Sequence, residues 1–351
     1  MSNICIFSRT FYPNIGGLER IAQILASYAA SLGYQVEVVT DTHGKSDEDD
    51  RRFPFMITRT SDYKVRVQAF KRADVVLFMN VSLHGMLAAI VTDTPVIFSH
   101  HGIYRGRGLV GKLLELVKRQ LTRFYSNISV SQFVAKNIPA ASVVIHNAYD
   151  NTLFKQPEHP ARVRDFVFCG RLVTDKGADM AIQAFARVLE SLPDASLTII
   201  GDGPERQTLQ ALAQGFGISE KVRFTGKLGG QDLVVELQRH VCMVVPSLWE
   251  EPFGIAALEG IACCETIIAT RRGGLPEAVG DCGLLVEPAV DRMADAMIAV
   301  AKTWRSGEDL SEKAEEVRNI HLGRHTPETV TRKYLDVIEQ VISPRQNLER
   351  S

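Results

Sequence analysis

The sequence contains no apolar run of about 18 residues without a charged side chain, so it predicts no membrane-spanning helix. It lacks an excess of either charge, because 40 lysines and arginines oppose 41 aspartates and glutamates. This balance excludes a global basic field that would bind nucleic acid. The first residues lack a basic segment, a long apolar run and a small-residue cleavage site, so we expect no signal peptide.

The cysteines follow no CxxC spacing, which speaks against a zinc framework. They stand mostly in apolar surroundings, so we expect reduced thiols of a cytoplasmic protein and no disulfides. The six are Cys5, Cys169, Cys242, Cys263, Cys264 and Cys282. The chain is 45% hydrophobic, which excludes extended disorder, and its 351 residues suffice for about two domains.

Short apolar runs of strand length alternate with longer runs of helical spacing, which predicts an α/β fold with parallel sheets. The predicted strands are 3–8, 35–40, 74–79, 95–99 and 126–130, then 166–169, 196–200, 222–224, 242–246 and 266–270. A turn-rich stretch at 147–164 separates the two groups, so we predict two doubly wound sheets. Ligands of such sheets bind beyond the carboxyl ends of the strands.

Residues 106–112, GRGLVGK, satisfy the spacing of a Walker phosphate loop. Leu113 stands where a hydroxyl should hold magnesium, and the glycines begin several residues after the strand at 95–99. We therefore favour a flexible loop before a basic helix over a nucleotide triphosphatase.

Residues 246–259, PSLWEEPFGIAALE, place Glu251 at a helix entry and Glu259 two turns further along the helix. Two such carboxylates can accept hydrogen bonds from a hydroxyl-rich ligand. Alternatively, Glu251 only complements the helix dipole and Glu259 is solvated. The amides at the helix start suit a phosphate or sugar oxygen. They belong to Phe253, Gly254 and Ile255.

The segment EPFGIAALEG, in which Glu251 and Glu259 enclose seven residues, closely resembles the donor-site signature of the family 4 retaining glycosyltransferases of the GT-B fold. Other motifs typical of that family occur in order. They are YPNIGGLE (12–19), VIHNAYD (144–150), FCGRL (168–172) with DKG (175–177), IGDGPE (200–205) and GGLPE (273–277). The resemblance spans nearly the whole chain and is thinnest between residues 41 and 130.

The resemblance implies two Rossmann-like domains that face a central cleft. Residues 1–155 would form the acceptor-side domain and residues 156–325 the nucleotide-sugar-binding domain. The terminal helix, within 326–351, would return to the first domain, and the apolar stripe along residues 327–341 offers it a face to bury.

A nucleotide-sugar donor has a diphosphate leaving group on which negative charge grows as the glycosidic bond breaks. Fixed cations aimed at that charge stabilise the transition state more than the ground state. Arg171 and Lys176, which flank a strand-to-helix turn, fit this role. The amides of Gly16 and Gly17, at a helix start, can approach a phosphate, unless the segment is a plain helix-starting loop.

By resemblance, Glu251 binds the donor sugar, Glu259 the ribose, and the backbone near 226–228 the base. His101 matches the active-site histidine near the anomeric centre, with His100 as the competing candidate. The resemblance also implies retention of configuration through a same-face displacement. Catalytic roles therefore fall to His101, Arg171, Lys176 and Glu251.

We expect no cofactor beyond the nucleotide-diphosphate sugar donor and no required metal, because Arg171 and Lys176 supply the positive charge. The acidic run at 47–50 is predicted to be a solvated loop. Two other functions stay open: a nucleotide-sugar epimerase of the same fold, and a non-catalytic nucleotide-sugar-binding protein.

Residues 105–123 combine a helical apolar stripe with six basic residues and one acidic residue, Glu115. The basic residues are Arg105, Arg107, Lys112, Lys118, Arg119 and Arg123. One interpretation is a core-packed helix with a solvated basic face. The other is peripheral docking at the inner face of an anionic membrane or on a lipid-linked acceptor. The resemblance to enzymes of polysaccharide, lipopolysaccharide and glycolipid synthesis suits the second interpretation and a hexosyltransferase activity.

Overall fold

The computed structural model of the chain describes residues 2–14, 16–44, 50–106, 108–157, 162–307 and 311–349. The chain divides into two compact units. Unit 1 comprises Met1–Ala148 and Pro327–Ser351, and unit 2 comprises Tyr149–Thr326. The chain thus passes between the units after residue 148, seven residues before the boundary expected at 155, and again after residue 326.

Unit 1 contains a seven-stranded sheet in which all neighbouring strands run parallel. Its strands are β1 (Asn3–Phe7), β2 (Gln35–Thr40), β3 (Met56–Arg59), β4 (Val75–Met79), β5 (Val96–His100), β6 (Ser126–Ser129) and β7 (Val143–Val144). The order β3-β2-β1-β4-β5-β6-β7 reverses between β1 and β4, as in a doubly wound sheet. The short edge strands β3 and β7 have no counterpart in the sequence-based prediction, because neither is a buried apolar run.

The helices of the N-terminal part of unit 1 are α1 (Gly17–Ser31), α2 (Tyr63–Lys71), α3 (Leu83–Thr92), α4 (Gly108–Leu121) and α5 (Gln132–Ala135). A cluster of buried phenylalanines forms the core between sheet and helices. Phe78 lies at its centre, with its ring centroid 5.1 Å from that of Phe7, 5.9 Å from Phe70 and 5.6 Å from Phe98. These tilted and edge-to-face contacts join β1, β4, β5 and α2.

Unit 2 contains a six-stranded parallel sheet with the order β10-β9-β8-β11-β12-β13. Its strands are β8 (Arg164–Cys169), β9 (Leu197–Ile200), β10 (Val222–Gly226), β11 (His240–Val245), β12 (Thr266–Thr270) and β13 (Leu284–Val286). The order reverses between β8 and β11. The segments that follow these two strands therefore lie at the switch point of the sheet, where ligands of such sheets bind.

The helices of unit 2 are α6 (Ala178–Ser191), α7 (Arg206–Gly215), α8 (Gly230–Gln238), α9 (Ile255–Cys263), α10 (Leu275–Val279), α11 (Val290–Ser306) and α12 (Ser311–Gly323). One large core unites the sheet with α6 and α11, which pack against each other. Seven residues of α6 are buried, including Phe185 and Val188, which are fully inaccessible. This burial holds the amino terminus of α6, and the turn before it, against the sheet.

The last helix, α13 (Pro327–Glu349), is longer than the predicted 327–341 and packs in unit 1 against α1 and β4. Its Tyr334 is 2% exposed, and the Tyr334 hydroxyl lies 2.7 Å from Ser99 Oγ of β5. The carboxylate of Glu339 accepts a short hydrogen bond from the Tyr34 hydroxyl beside α1. The apolar stripe of this helix is thus buried within unit 1.

Candidate functional site

The loop between β11 and α9 brings together two residues that the sequence analysis placed in separate motifs. The Glu251 carboxylate accepts a short hydrogen bond from Lys176 Nζ and a second, at 2.9 Å, from Ser247 Oγ. The Lys176 side chain is 29% exposed and that of Glu251 is 15% exposed. The pair therefore lies at a partly open surface, where a ligand can still reach both groups.

The turn that carries Lys176, a short 3₁₀ helix Thr174–Lys176, is bound to this loop through backbone groups. The carbonyl of Asp175 accepts hydrogen bonds from the amides of Leu248 at 2.9 Å and Trp249 at 3.1 Å. Gly177 has a φ of +72°, and a Cβ there would lie 1.9 Å from the carbonyl oxygen of Pro246. Only glycine permits this close approach, which sets the position of the lysine relative to the glutamate.

The GGLPE motif supports the loop from its other side. The Gly274 amide donates to the carbonyl oxygen of Glu251 at 2.7 Å, and the Gly273 amide donates to Glu250 Oε2 at 2.7 Å. Arg272 adds an ion pair to Glu250 at 3.2 Å. The backbone of Glu251 is therefore held by a segment that follows β12, some twenty residues later in the chain.

Helix α9 begins directly after this loop, with Gly254 as its N-cap at a φ of +117°. Phe253 is 1% exposed, and its ring centroid lies 5.5 Å from that of His325, so its side chain is a packing group. Only its backbone could contact a ligand. Ile255 opens the helix as predicted, so the amides of 253–255 lie at a helix amino terminus.

Glu259 lies half-buried on α9, close to the carboxyl end of β8. Burial, with smaller contributions from the charge of Glu259 and from Cys264, raises the pKa of Cys169 to about 12. Glu259 is thus close enough to Cys169 of the FCGRL motif to raise its pKa, and it is half-buried and not freely solvated. Cys169 stays a neutral thiol at physiological pH.

Arg171 follows β8 and is exposed, and its guanidinium has no hydrogen-bond or ion-pair partner among the described residues. Its backbone surroundings, in contrast, are tightly fitted. The Leu172 amide donates to the carbonyl of Asp202 at 3.0 Å, and a Cβ on Gly201 would lie 1.9 Å from the Gly170 carbonyl oxygen. The FCGRL and IGDGPE motifs therefore interlock through their backbones and leave the cation of Arg171 available.

The segment predicted to lie near the base begins at the end of β10. The carbonyl of Gly226 accepts a hydrogen bond from the Gly201 amide at 2.9 Å, and Gly226 has a φ of +79°. Residues 226–228 are thus neighbours of the interlocked motifs at the same edge of the sheet.

His100 and His101, in unit 1, differ in solvent exposure. His100 is fully buried, and its two ring nitrogens lie 2.7 Å from the Tyr104 hydroxyl and 2.9 Å from Asn127 Oδ1. Burial lowers the pKa of His100 to about 4. Because His100 is fully buried and His101 is only partly buried, His101 is the candidate that a ligand could contact.

His101 is only partly buried, and its Nε2 lies 2.8 Å from Ser99 Oγ. Its amide donates to Asn80 Oδ1 at 2.8 Å. Burial and the neighbouring His100 lower the pKa of His101 to about 3, although a hydrogen bond with Asn147 opposes that decrease. The imidazole is therefore neutral at pH 7, a state that can both donate and accept a hydrogen bond.

Gly16 is the N-cap of α1, and Gly17 is its first residue. A Cβ on Gly16 would lie 2.3 Å from Glu19 Oε2, so the Glu19 carboxylate folds over this helix start. The preceding loop is held by Arg59, whose Nη1 donates to the Tyr12 carbonyl at 2.8 Å. Ile15 of the glycine motif lies outside the described residues.

Arg59 is not among the residues predicted from the sequence, because it stands in β3, a strand that lacks a buried apolar run. Its guanidinium also donates to the Thr42 carbonyl at 2.9 Å and makes a bidentate ion pair with Asp50 at 2.7 and 2.8 Å. Of the acidic run predicted to be solvated, Asp50 is therefore a paired residue, and 47–49 lie outside the described residues.

In the described part of the chain, no group of three or more His, Cys, Asp and Glu side chains could hold a metal ion.

The basic segment 105–123 contains the whole of α4, which begins at Gly108, four residues before the predicted start at Lys112. The second half of the apparent Walker motif is therefore helix and cannot form a phosphate-cradling loop. No residue of α4 is buried, so the core-packed interpretation of this helix is wrong. Arg107 lies outside the described residues. In the described ranges, no helix is long and apolar enough to cross a membrane.

Comparison with protein families gives two matches that together span most of the chain. Residues 150–317 match the model described as glycosyl transferases group 1, and residues 15–152 match that of glycosyltransferase family 4. One component of the human phosphatidylinositol N-acetylglucosaminyltransferase is 25% identical, over 99% of this chain and 79% of its own length. A GDP-mannose-dependent alpha-(1-6)-phosphatidylinositol monomannoside mannosyltransferase of Mycolicibacterium smegmatis is 30% identical, over 57% of this chain and 58% of its own.

Solved structures share the fold over nearly the full length. A glycosyltransferase from Rickettsia africae has a TM-score of 0.81 at 18% identity, covering 97% of this chain and 98% of that one. Anabaena HepE in complex with UDP and glucose has a TM-score of 0.79 at 18% identity, covering 97% of this chain and all of HepE. At this identity the likeness establishes the fold, which is GT-B.

Proposed function

Because this chain belongs to the family 4 glycosyltransferases of the GT-B fold, we propose that it transfers a sugar from a nucleotide-diphosphate donor with retention of configuration. The observation that carries the proposal is the convergence on Glu251 of three segments. Lys176 and Ser247 bind its carboxylate, and Gly274 binds its carbonyl. Such a preorganised carboxylate suits the hydroxyl groups of a donor sugar.

The cationic charge for the leaving diphosphate comes from the protein in this proposal. Arg171 supplies an exposed guanidinium with no described internal partner, and Lys176 supplies an ammonium shared with Glu251. The helix-start amides of 253–255 and of Gly16 and Gly17 add partial positive charge. Together these groups take the place of a divalent metal, so the reaction is metal-independent.

His101 is assigned to the donor sugar or to the leaving oxygen, as a neutral hydrogen-bonding group. Glu259 is assigned to the ribose hydroxyls. Retention follows if the leaving phosphate accepts the proton of the attacking hydroxyl on the same face of the sugar. This step needs no protein nucleophile.

The acceptor in this proposal is a glycan or a lipid-linked intermediate of surface polysaccharide or glycolipid synthesis. The names of the two relatives describe enzymes of phosphatidylinositol-linked products, and the structure of HepE holds UDP and glucose. We place the reaction in the cytoplasm, in keeping with six unpaired cysteines, and we propose a peripheral membrane contact through residues 105–123.

A donor screen tests the proposal. The protein is heated with UDP-, GDP- and ADP-sugars in turn, and a saturating ligand at about 100 times its dissociation constant should add about 2.7 kcal/mol of stability. The donor that stabilises best is then offered to glycan and lipid-linked acceptors, and the product anomer is read by NMR. Stabilisation by no nucleotide-sugar, or a product with inverted configuration, would contradict the proposal.

A further inference from the structure

Helix α4 (Gly108–Leu121) turns its apolar side chains outward, the reverse of an ordinary surface helix. The exposed fractions reach 87% for Leu109, 60% for Leu113 and 52% for Leu116. Val110, Leu114 and Val117 are also exposed, as is Phe124 just beyond the helix. At 100° per residue these helical side chains cover an arc of about 160°. A contiguous apolar surface of this kind marks an interaction site.

Basic side chains border both edges of this stripe. Lys112 and Arg119 lie along one edge of the helix and Lys118 along the other, with Arg105 and Arg123 beyond the helix ends. The described part of the segment therefore carries five cationic side chains and one carboxylate, that of Glu115. Apolar residues flanked by lysine and arginine are typical of a helix that lies in the interface of an anionic bilayer.

Glu115 connects the polar side of the helix to the segment that precedes it. Its Oε2 accepts a hydrogen bond of 2.7 Å from the Gly106 amide, and its Oε1 lies 3.7 Å from Arg119 Nη1. At 100° per residue, Glu115 lies about 180° from the centre of the apolar stripe. The polar face of the helix thus closes against the segment that leads into it, whereas the apolar side chains are exposed.

The segment before the helix is also fixed, and it joins the helix to His101. The Tyr104 hydroxyl hydrogen-bonds with His100 and accepts a hydrogen bond from the Val81 amide at 3.1 Å. His101 and Gly108 are seven residues apart, which limits their separation to about 25 Å. The start of the helix therefore lies at most about 25 Å from the candidate catalytic histidine.

We propose that the outward face of α4, with Phe124, docks the protein on a membrane surface rich in anionic lipid. Docking holds His101 near the headgroups, so it deepens the proposed function, on which it rests for the lipid-linked acceptor. Charge favours a bilayer over a second copy of this chain. A symmetric pairing through this face would bring ten like charges together, whereas acidic headgroups neutralise them.

Vesicle flotation tests the docking. The full chain is mixed with phosphatidylcholine vesicles, either pure or containing about 30% phosphatidylglycerol, and the bound fraction is measured without donor. We expect binding to the anionic vesicles only. The variant Leu113→Gln/Leu116→Gln should bind about 100-fold more weakly, at about tenfold for each leucine withdrawn from lipid. Lys112→Gln/Arg123→Gln should lose about 30-fold, and about 1 M salt should act in the same direction.

The matched control is Leu87→Gln/Ile90→Gln on α3, where the two side chains are 62% and 61% exposed but the helix itself contains no lysine or arginine. This variant should bind like the wild type. Since all the replaced side chains are exposed, circular dichroism should show an intact fold in each variant. Equal binding to neutral vesicles, equal loss in the control, or unchanged binding of the leucine variant would overturn the proposal.

Two further readouts separate the remaining outcomes. Sedimentation at rising protein concentration would overturn the proposal if it revealed a dimer that the leucine variant abolishes, with no vesicle binding. Stabilisation of the same preparations by nucleotide-sugars tests the donor site alone. If that stabilisation persists while flotation fails, the docking surface is wrong and the transferase assignment stands. If the protein floats with anionic vesicles but no nucleotide-sugar stabilises it, the docking surface stands and the transferase assignment is wrong.

Discussion

Replacing Arg171 with alanine separates catalysis from folding more cleanly than any other change at the candidate site. The side chain is exposed and has no hydrogen-bond or ion-pair partner in the described part of the chain, so its removal breaks no described internal interaction. Surface substitutions of this kind alter the free energy of unfolding by at most about 0.5 kcal/mol. Any large effect on turnover therefore reports an interaction with the substrate.

The expected loss follows from the charge that grows on the leaving diphosphate. Removing one preorganised donor aimed at such charge lowers the rate about 10²–10³-fold, equivalent to about 2.7–4 kcal/mol. If the contact strengthens in the transition state, the loss lies in kcat, and if it binds the diphosphate equally throughout, the loss lies in KM. Release of the nucleoside diphosphate, measured over a range of donor concentrations, distinguishes the two.

Lys221→Ala is the matched control, since it removes another exposed cation of unit 2 from the short helix Ser219–Lys221. It should leave kcat and KM unchanged. Lys176→Ala should act in the same direction as Arg171→Ala, and the double variant should lose less than the sum, because both cations serve one diphosphate. A folded Arg171→Ala protein with near wild-type transfer would refute the assignment of this arginine.

Three further outcomes are expected. Transfer should survive excess EDTA, because protein cations neutralise the leaving group; loss of activity that magnesium or manganese restores would contradict this. The free energy of unfolding, measured in urea, should fall by about 2 kcal/mol for each of His100 and His240 between pH 7 and pH 5. Burial lowers the pKa of His100 to about 4 and that of His240 to about 3. Between pH 7 and pH 5 the unfolded chain therefore binds protons at these histidines that the folded chain does not. Equal stability at both pH values would contradict this prediction. Gly177→Ala should destabilise the protein by more than about 2 kcal/mol, because a Cβ would meet the Pro246 carbonyl at a positive φ. Gly215→Ala, where open space surrounds the added methyl, should be neutral or stabilising, and similar urea midpoints for the two variants would contradict the expected strain.

The family and the fold class predicted from the sequence are confirmed. Both depend on local patterns. Buried parallel strands are short apolar runs, and the turns that follow them need glycine at positions such as Gly177 and Gly201, where a Cβ would collide with a carbonyl. Such requirements involve residues that are close together in the chain, so they can be recognised from the sequence. The roles of Arg171, Lys176, Glu251 and His101 stay predictions.

The edge strands β3 and β7 show where local patterns fail. Met56 and Val143 are exposed, and neither strand is a buried apolar run of ordinary strand length. Pairing with a neighbouring strand, and not composition, therefore defines them. Arg59 was missed for the same reason. Its guanidinium joins the loops at Tyr12 and Thr42, which are distant in sequence.

The residues of α4 predict a basic helix with an apolar stripe, because helical periodicity is a property of residues close together in the chain. This pattern left two orientations open, one with the stripe in the core and one with the stripe toward solvent. The folded structure selects the second orientation, because the side chains of the stripe are exposed and no residue of the helix is buried. Likewise, the spacing of Glu251 and Glu259 was visible in the chain, but the pairing of Glu251 with Lys176 arises only where two strand ends meet. Contacts across a sheet depend on strand order, which no local pattern encodes.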